Sequence, residues 1–170
     1  MSATSSPVFD PRRKPLPTDS DWSIVLHLTI PAVPVAQPRQ RHAVRRFGSR
    51  VVATNYTPTS DPVNAYKATL RAVVGSEWRR PPLACVLRVE VVFVFDRPQT
   101  LLKPRSHQGR ILCDNPKDAD NLQKSTFDAL NKLLWIDDRQ IVSVAAEKHY
   151  RSINEAAHVE LSVLVPASLL

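Results

Sequence analysis

Residues 117–141 read KDADNLQKSTFDALNKLLWIDDRQI, which places one amphipathic segment between two pairs of aspartates. Asp120 is a good N-cap, and Gln123 stands where a capping box places Glu or Gln. The pattern predicts a helix from about Asn121 to Leu134. A largely apolar stripe recurs within it at helical intervals and consists of Leu122, Thr126, Ala129, Leu130, Leu133 and Leu134.

The two aspartate pairs concentrate negative charge in a basic protein. Six of the sixteen acidic residues lie between Asp114 and Asp138, although the formal net charge of the chain is +7. Crowded carboxylates repel one another unless a cation neutralises them, and ligands that are all oxygens favour Mg²⁺ or Mn²⁺ over zinc. Asp118 and Asp120 are expected to lie in an extended segment just before the helix and to face one ion. The sequence therefore predicts a divalent metal site.

Lys124 follows Asp120 by one helical turn on the same face, where its ammonium group is placed to contact a phosphate oxygen. The alternative is that the acidic residues bind no metal. An Asp-x-Asp pair at a helix start is often a solvated cap, and Asp137-Asp138 alone predicts a turn between a helix and a strand. The presence of both pairs, one on each side of the same helix, favours the metal site.

Three separated blocks in this region carry a family resemblance. They are Lys117-Asp118-Ala119-Asp120-Asn121-Leu122-x-Lys124, then Asp128-Ala129-Leu130-Asn131, then Asp137-Asp138-x-Gln140-Ile141. In order and spacing they resemble the RusA family of Holliday junction resolvases. Weaker likeness extends to the basic segment 37–41 and to Lys148-His149-Tyr150.

The resemblance implies a homodimeric, Mg²⁺-dependent endonuclease, with Mn²⁺ as a substitute ion, that cuts four-way DNA junctions and other branched DNA by paired nicks in recombination and repair. It implies a RusA-like fold. Its metal-binding carboxylates would be Asp118, Asp120 and Asp138, and its catalytic lysine would be Lys124. Asn121 and Asp137 lie inside the motif as supporting residues. The chain departs from the family pattern at Ala119 and in the long segment 103–116.

The rest of the chain predicts one α+β domain over residues 21–170, with a mixed sheet of four or five strands and two main helices. Residues 1–20 are proline-rich and basic, which is typical of a disordered tail. The second helix is expected from Asp61-Pro62 toward Trp78. Residues 39–50 are expected to be a basic loop that turns at Phe47-Gly48, and residues 98–116 a mobile basic loop. The predicted strands are Trp22–Ile30, a short one at Val51–Ala53, Leu83–Phe95, Gln140–Tyr150 and Ala157–Val165.

The basic residues outside the motif point to a polyanionic partner, in agreement with a sequence pI near 9.8. Guanidinium groups bind phosphate in a bidentate manner, and the arginines after Pro38 have no acidic run nearby to pair with. The alternative for this cluster is a solvated loop. The predicted DNA contacts are Arg39, Arg41, Arg45, Arg46, Lys67, Arg71, Arg105 and Arg110.

No apolar run is long enough to span a bilayer, and the first residues lack the layout of a secretory signal, so a cytoplasmic protein without membrane contact is expected. Two cysteines without CxxC spacing argue against a zinc site. Two other functions stay open. One is a nucleic-acid-binding module without catalysis, and the other is a Mg²⁺-dependent phosphohydrolase acting on a small phosphate ester. The clustered arginines argue against a small substrate.

Overall fold

Two sheets and two helices make up the part of the protein that this computed structural model describes, which is residues 18, 21–39, 41–47, 50–103 and 107–170. Single turns of 3-10 helix lie at Gln99–Leu101, Asp138–Gln140 and Ala167–Leu169. The regular elements in chain order are β1 (Trp22–Ile30), β2 (Arg41–Phe47), β3 (Arg50–Tyr56), α1 (Pro62–Glu77), β4 (Leu87–Phe95), β5 (Ile111–Leu112), α2 (Ala119–Leu130), β6 (Ile141–Tyr150) and β7 (His158–Pro166).

The larger sheet has five strands in the order β1-β7-β4-β6-β5. All neighbours are antiparallel except β4 and β6, which are parallel. Parallel strands need a long crossover connection, and α2 lies in the one that joins β4 to β6. The predicted α+β domain with a mixed sheet of four or five strands and two main helices is confirmed. The order of the strands was not predictable from the sequence.

The smaller sheet is a hairpin of β2 and β3, whose backbones pair from Arg41↔Tyr56 to Phe47↔Arg50. The prediction of a basic loop over residues 39–50 is therefore wrong for this segment, and the short strand expected at Val51–Ala53 is longer. The arginines in β2 hide the alternation of apolar and polar residues by which strands are recognised. The expected tail over residues 1–20, apart from Thr18, and the turn at Gly48 lie outside the described residues.

Helix α1 begins and ends where the sequence predicts. The Asp61 side chain accepts a hydrogen bond from the backbone N–H of Val63 at 3.0 Å, and Pro62 occupies the first helical position. Trp78 ends the helix. The buried face of α1 consists of Val63, Tyr66, Leu70 and Val74.

Helix α2 begins and ends earlier than predicted. Asp118, not Asp120, is the N-cap, and the backbone N–H of Leu122 donates to the Asp118 carbonyl at 3.1 Å. The helix ends at Leu130 because the chain turns at Lys132, which has a left-handed φ of 65°. Leu134 is fully buried just beyond this turn. The apolar pattern that predicted helix therefore continues into a turn that faces the same core.

Both helices pack on one face of the larger sheet. The Tyr66 hydroxyl lies 2.9 Å from Thr126 Oγ1 between the helices, and the rings of Phe127 and Trp135 meet edge to face at 6.0 Å. Alternate residues of β4 and β7, including Val89 and Phe93, are fully buried beneath them. This packing fixes α2 against the sheet and thereby sets the positions of both aspartate pairs.

Candidate active site

The first aspartate pair lies on the first turn of α2. Asp118 caps the helix with its backbone, and its carboxylate accepts a hydrogen bond from Asn121 Nδ2 at 3.3 Å instead of capping a backbone N–H. Asp120 lies inside the first turn, exposed, and has no hydrogen-bond or ion-pair partner among the described residues. The expectation that both aspartates precede the helix in an extended segment is wrong. The positive end of the helix dipole favours carboxylates at this position.

The second pair divides into one structural and one free aspartate. Asp137 caps the 3-10 turn Asp138–Gln140, since its side chain accepts from Arg139 N at 3.0 Å and its own N–H donates to Gln140 Oε1 at 2.9 Å. Gln140 Nε2 in turn donates to the carbonyl of Cys85 at 2.7 Å. Asp138 is exposed, and within the described part of the chain nothing pairs with its carboxylate.

Within one protomer the two pairs lie at opposite ends of the larger sheet. Lys117, next to the first pair, places Nζ 5.0 Å from the ring centroid of Phe95, the last residue of β4. Gln140, next to the second pair, bonds Cys85, which lies just before β4. Strand β4 advances by eight residues from Leu87 to Phe95. At about 3.3 Å per residue, its two ends are about 26 Å apart. In agreement with this separation, the carboxylate oxygens of Asp118, Asp120 and Asp138, all of them described residues, do not all lie within 4.8 Å of one another.

Two lysines and a proline-rich loop hold the start of α2 in place. Lys148 Nζ, from β6, donates to the carbonyls of Asn115 and Lys117 at 3.0 and 2.8 Å, and Lys117 Nζ donates to the Pro34 carbonyl at 3.1 Å. Ser125 Oγ donates to the carbonyl of Val35 at 2.6 Å. The backbone leading into Asp118 is thus braced from two sides. Sequence reasoning missed this role of Lys148, because its spacing from the motif does not reveal which loop it meets.

Lys124 is exposed on α2 one turn after Asp120, as predicted from its position in the motif, and it has no partner in the described ranges. An ammonium group that no protein carboxylate neutralises is available to an anionic ligand. Two of the predicted DNA contacts, Arg39 and Arg46, are also exposed.

The other predicted DNA contacts differ in their surroundings. Lys67 forms an ion pair with Asp128 at 3.1 Å, and an Arg71 Nη donates to the Ala129 carbonyl at 2.7 Å, so both join α1 to α2. The structure gives the backbone of Arg41 and Arg45 in β2, but their side chains lie outside what it describes. Arg105 lies outside the described residues altogether.

A comparison with models of protein families identifies the family of this chain. The family model for endodeoxyribonuclease RusA matches residues 31–163, from the end of β1 to β7, and so includes both aspartate pairs and Lys124. The chain belongs to the RusA family. The resemblance seen in the sequence is confirmed, and RusA membership supports a nuclease that acts on DNA. A search of curated proteins finds no match.

The donor set at the aspartates fits the divalent ion expected of a RusA nuclease. Carboxylate oxygens are hard ligands of the kind that Mg²⁺ prefers, and Asp120 and Asp138 offer theirs to solvent without a competing cation among the described residues. Because the two pairs lie far apart, Asp138 of one protomer does not lie beside Asp118 and Asp120 of the same protomer.

A second acidic group, away from the RusA motif, is already paired with the side chain of Arg110. Ligand atoms of Glu155, His158 and Glu160 lie within 4.8 Å of one another, and the Arg110 guanidinium lies among them. Arg110 donates to Glu160 Oε1 at 2.6 Å and to both oxygens of Glu155. These hydrogen bonds hold the pKa of Glu155 at about 2, below its ordinary value of 4.5. We interpret this group as an ion-pair network rather than a metal site.

The network fixes part of a segment that was expected to be mobile. The buried guanidinium of Arg97 donates to the carbonyls of His107, Gly109 and Arg151, and Arg110 follows directly. Residues 107–110 are therefore held against the turn between β6 and β7, which contradicts the prediction of a mobile loop there. Arg110 was expected to contact DNA, but its donors point into the network. Sequence patterns do not distinguish a buried arginine from an exposed one.

Proposed function

We propose that this RusA-family protein is a Mg²⁺-dependent, structure-selective endonuclease that resolves Holliday junctions and other branched DNA by paired nicks, in recombination and repair. The observation that carries the proposal is that Asp120 and Asp138 expose carboxylates without protein partners, among the described residues, in a chain of net charge +7. Unpaired acidic groups in a basic protein suit a metal that bridges the protein to phosphate. A cytoplasmic location agrees with the finding that no helix among the described residues is long and apolar enough to cross a membrane.

The active form that we propose is a homodimer, because one protomer does not bring the three carboxylates together. A two-fold axis that places Asp118 and Asp120 of one protomer beside Asp138 of the partner subunit generates two identical sites. Two sites related in this way suit two nicks in a four-way junction, which is itself nearly two-fold symmetric. The distance between the aspartate pairs thus supports the dimer independently of the family resemblance.

The protein groups have separate tasks in this mechanism. Asp118, Asp120 and Asp138 would hold Mg²⁺, or Mn²⁺ as its substitute, through carboxylate oxygens. Such an ion polarises the scissile phosphate and lowers the pKa of an attacking water. Lys124 would donate hydrogen bonds to the phosphate and stabilise the negative charge that develops in the transition state. Asn121 and Asp137 act on the aspartates indirectly, Asn121 by its bond to Asp118 and Asp137 by capping the turn of Asp138.

The DNA surface that we propose is the arginine-rich hairpin of β2 and β3 together with the residue Arg39 that lies just before it. Arg39 and Arg46 are exposed there, and Arg41 and Arg45 lie on the same strand as Arg46. Arginine contacts to phosphates give affinity without sequence preference. Lys67, Arg71, Arg105 and Arg110 form a weaker second group, since three of these four already bond protein acceptors.

The proposal is tested by incubating the protein with a labelled four-way junction, a linear duplex and a nucleotide, each with and without Mg²⁺. We expect that, of the three substrates, only the four-way junction is cleaved, that cleavage requires Mg²⁺, and that the nicks lie at symmetric positions. Junction binding without cleavage in Mg²⁺ or Mn²⁺ would instead identify a binding module. Hydrolysis of the nucleotide would identify a phosphohydrolase. Asp120→Asn is the matched control, because it keeps the shape of the side chain and removes its charge.

A further inference from the structure

Four exposed basic residues lie in the region where the two helices end. Arg79 and Arg80 follow the end of α1, Lys132 follows the end of α2, and Arg139 lies in the 3-10 turn before β6. None of the four is among the DNA contacts that the sequence predicts. This group is the helix-end surface.

Backbone hydrogen bonds bring the three segments that carry this surface together. The N–H of Leu83 donates to the Leu134 carbonyl at 2.8 Å, and the N–H of Ile136 donates to the Leu83 carbonyl at 3.3 Å. Gln140 Nε2 donates to the same Leu83 carbonyl at 3.0 Å. Each basic residue of the helix-end surface lies within four positions of one of these residues in the chain. The four basic residues therefore belong to one region of the protein surface.

Among the described residues, three of these four side chains have no carboxylate partner. Arg79 uses only Nε, which donates to the Ser76 carbonyl at 3.2 Å, and the Lys132 side chain has no hydrogen bond within those residues. The third is Arg80. Arg139 lies 3.4 Å from a carboxylate oxygen of Asp137, and its side chain is still 85% exposed. Most of the positive charge of the surface is thus available to an anion from outside the protein.

Arg80 is held in a position that leaves its donors available. Its guanidinium carbon lies 5.8 Å from the ring centroid of Trp78, and Trp78 is only 7% exposed. Trp78 is itself fixed, because its Nε1 donates to the Pro81 carbonyl at 3.3 Å. A guanidinium that lies over an aromatic ring uses no N–H group in that contact. Its planar set of donors can therefore bind a phosphate in a bidentate manner.

We propose that the helix-end surface binds backbone phosphates of the DNA beside the phosphate that Asp138 engages through its metal. The proposal rests on the proposed nuclease function and extends its DNA surface beyond the β2–β3 hairpin. Arg139 directly follows Asp138 in the chain, so a DNA strand bound at Asp138 passes close to this surface. Arginine and lysine contacts to neighbouring phosphates fix the register of the DNA without reading its sequence.

A second reading of these residues does not involve DNA. Positively charged side chains near the C-terminal end of a helix are stabilised by the helix dipole, and Arg79, Arg80 and Lys132 follow such ends. Arg139 lies in a 3-10 turn and has no such role. The two readings differ in what they predict, since a dipole contact affects stability and a phosphate contact affects the salt dependence of DNA binding.

The salt dependence of binding tests the proposal without relying on cleavage. Arg80→Gln combined with Lys132→Gln removes two positive charges, and Arg80→Lys combined with Lys132→Arg is the matched control that keeps both. Binding to a fluorescent linear duplex and to a four-way junction is measured in EDTA from about 50 to about 200 mM salt. With about 0.9 in slope for each phosphate contact, the glutamine variant should reduce the slope by about 1.8 on both DNAs. Over this range its affinity should fall about 12-fold less than that of the wild type.

The control should keep the wild-type slope, and both variants should keep the wild-type circular dichroism spectrum. An unchanged slope in the glutamine variant would overturn the proposal, and a lower melting temperature of that variant would then assign these side chains to the helix dipoles. An equal loss of slope in the control would also overturn it, because the effect would then not depend on charge. Absence of cleavage in Mg²⁺ would contradict the proposed function and leave the slopes measured in EDTA as they are.

Discussion

The neighbouring aspartates Asp137 and Asp138 should respond to mutation in opposite ways. Asp137→Ala removes the side chain that caps the 3-10 turn through Arg139 N, while the bond from its own N–H to Gln140 remains. Loss of an N-cap typically costs about 1 kcal/mol, which lowers the melting temperature of a domain of this size by about 2–4 °C. Asp138→Asn breaks no hydrogen bond or ion pair among the described residues, so its stability should change by less than about 0.5 kcal/mol.

Activity should show the reverse order. Asp138→Asn should abolish junction cleavage and leave junction binding unchanged or tighter, because a negative charge near phosphate is removed. Asp137→Ala should keep measurable cleavage at temperatures well below its melting point. Circular dichroism melts and a gel assay with labelled junction give both numbers on the same samples. Normal cleavage by Asp138→Asn, or a fall in its melting temperature equal to that of Asp137→Ala, would refute the division of roles.

Three further predictions concern exposed basic residues and the half-buried carboxylate of Glu155. Lys124→Ala should lose about 10²–10³ in single-turnover rate with little change in junction affinity, as for other transition-state donors. Replacing Arg39 and Arg46 with alanine should weaken binding to all branched DNAs and reduce the slope of log affinity against log salt by about 0.9 for each phosphate that the variant no longer neutralises. Because Arg110 lowers the pKa of Glu155 to about 2, ionised Glu155 stabilises the fold above about pH 4.5 and loses this effect as the pH falls toward 2. Glu155→Gln should therefore reduce the melting temperature at pH 7 and approach the wild type near pH 2.

Each of these has a clear contrary result. Equal losses of rate and affinity would make Lys124 an ordinary DNA contact. An unchanged salt slope would remove the β2–β3 hairpin from the DNA surface and direct the search to Lys103, which is exposed. A constant difference in melting temperature between Glu155→Gln and wild type from pH 7 to pH 2 would show that the Arg110 network does not depend on the charge of Glu155.

The sequence predicted those elements whose signals are local. The cap at Asp61 with Pro62 placed the start of α1, and alternation placed β1, β6 and β7 to within one residue. The start of α2 was misplaced because Asp118 and Asp120 are equally good caps by composition, and packing of the preceding loop by Lys148 and Pro34 selects the first of them. The end of α2 was misplaced because the residue with left-handed backbone after the helix is Lys132. A glycine usually occupies such a position and would have marked the end of the helix in the sequence.

The geometry of the candidate site was the part that local patterns could not supply. The family resemblance implied that Asp118, Asp120 and Asp138 together bind the metal. The connection between parallel strands β4 and β6 instead carries α2 along the length of the sheet and leaves one aspartate pair at each end. That separation depends on the strand order, which is set by contacts between residues far apart in the chain. The capping role of Gln140 and the buried position of Arg97 have the same origin.

Mixing two inactive variants tests the central claim most directly. Asp120→Asn and Asp138→Asn proteins are each expected to cleave no junction, but subunit exchange between them forms mixed dimers with one complete site. The mixture should recover about a quarter of the wild-type nicking rate, since random exchange makes half of the dimers mixed and each has one of two sites intact. A mixture as inactive as its two components would contradict a site shared between protomers, and near-normal cleavage by either variant alone would contradict the metal site itself.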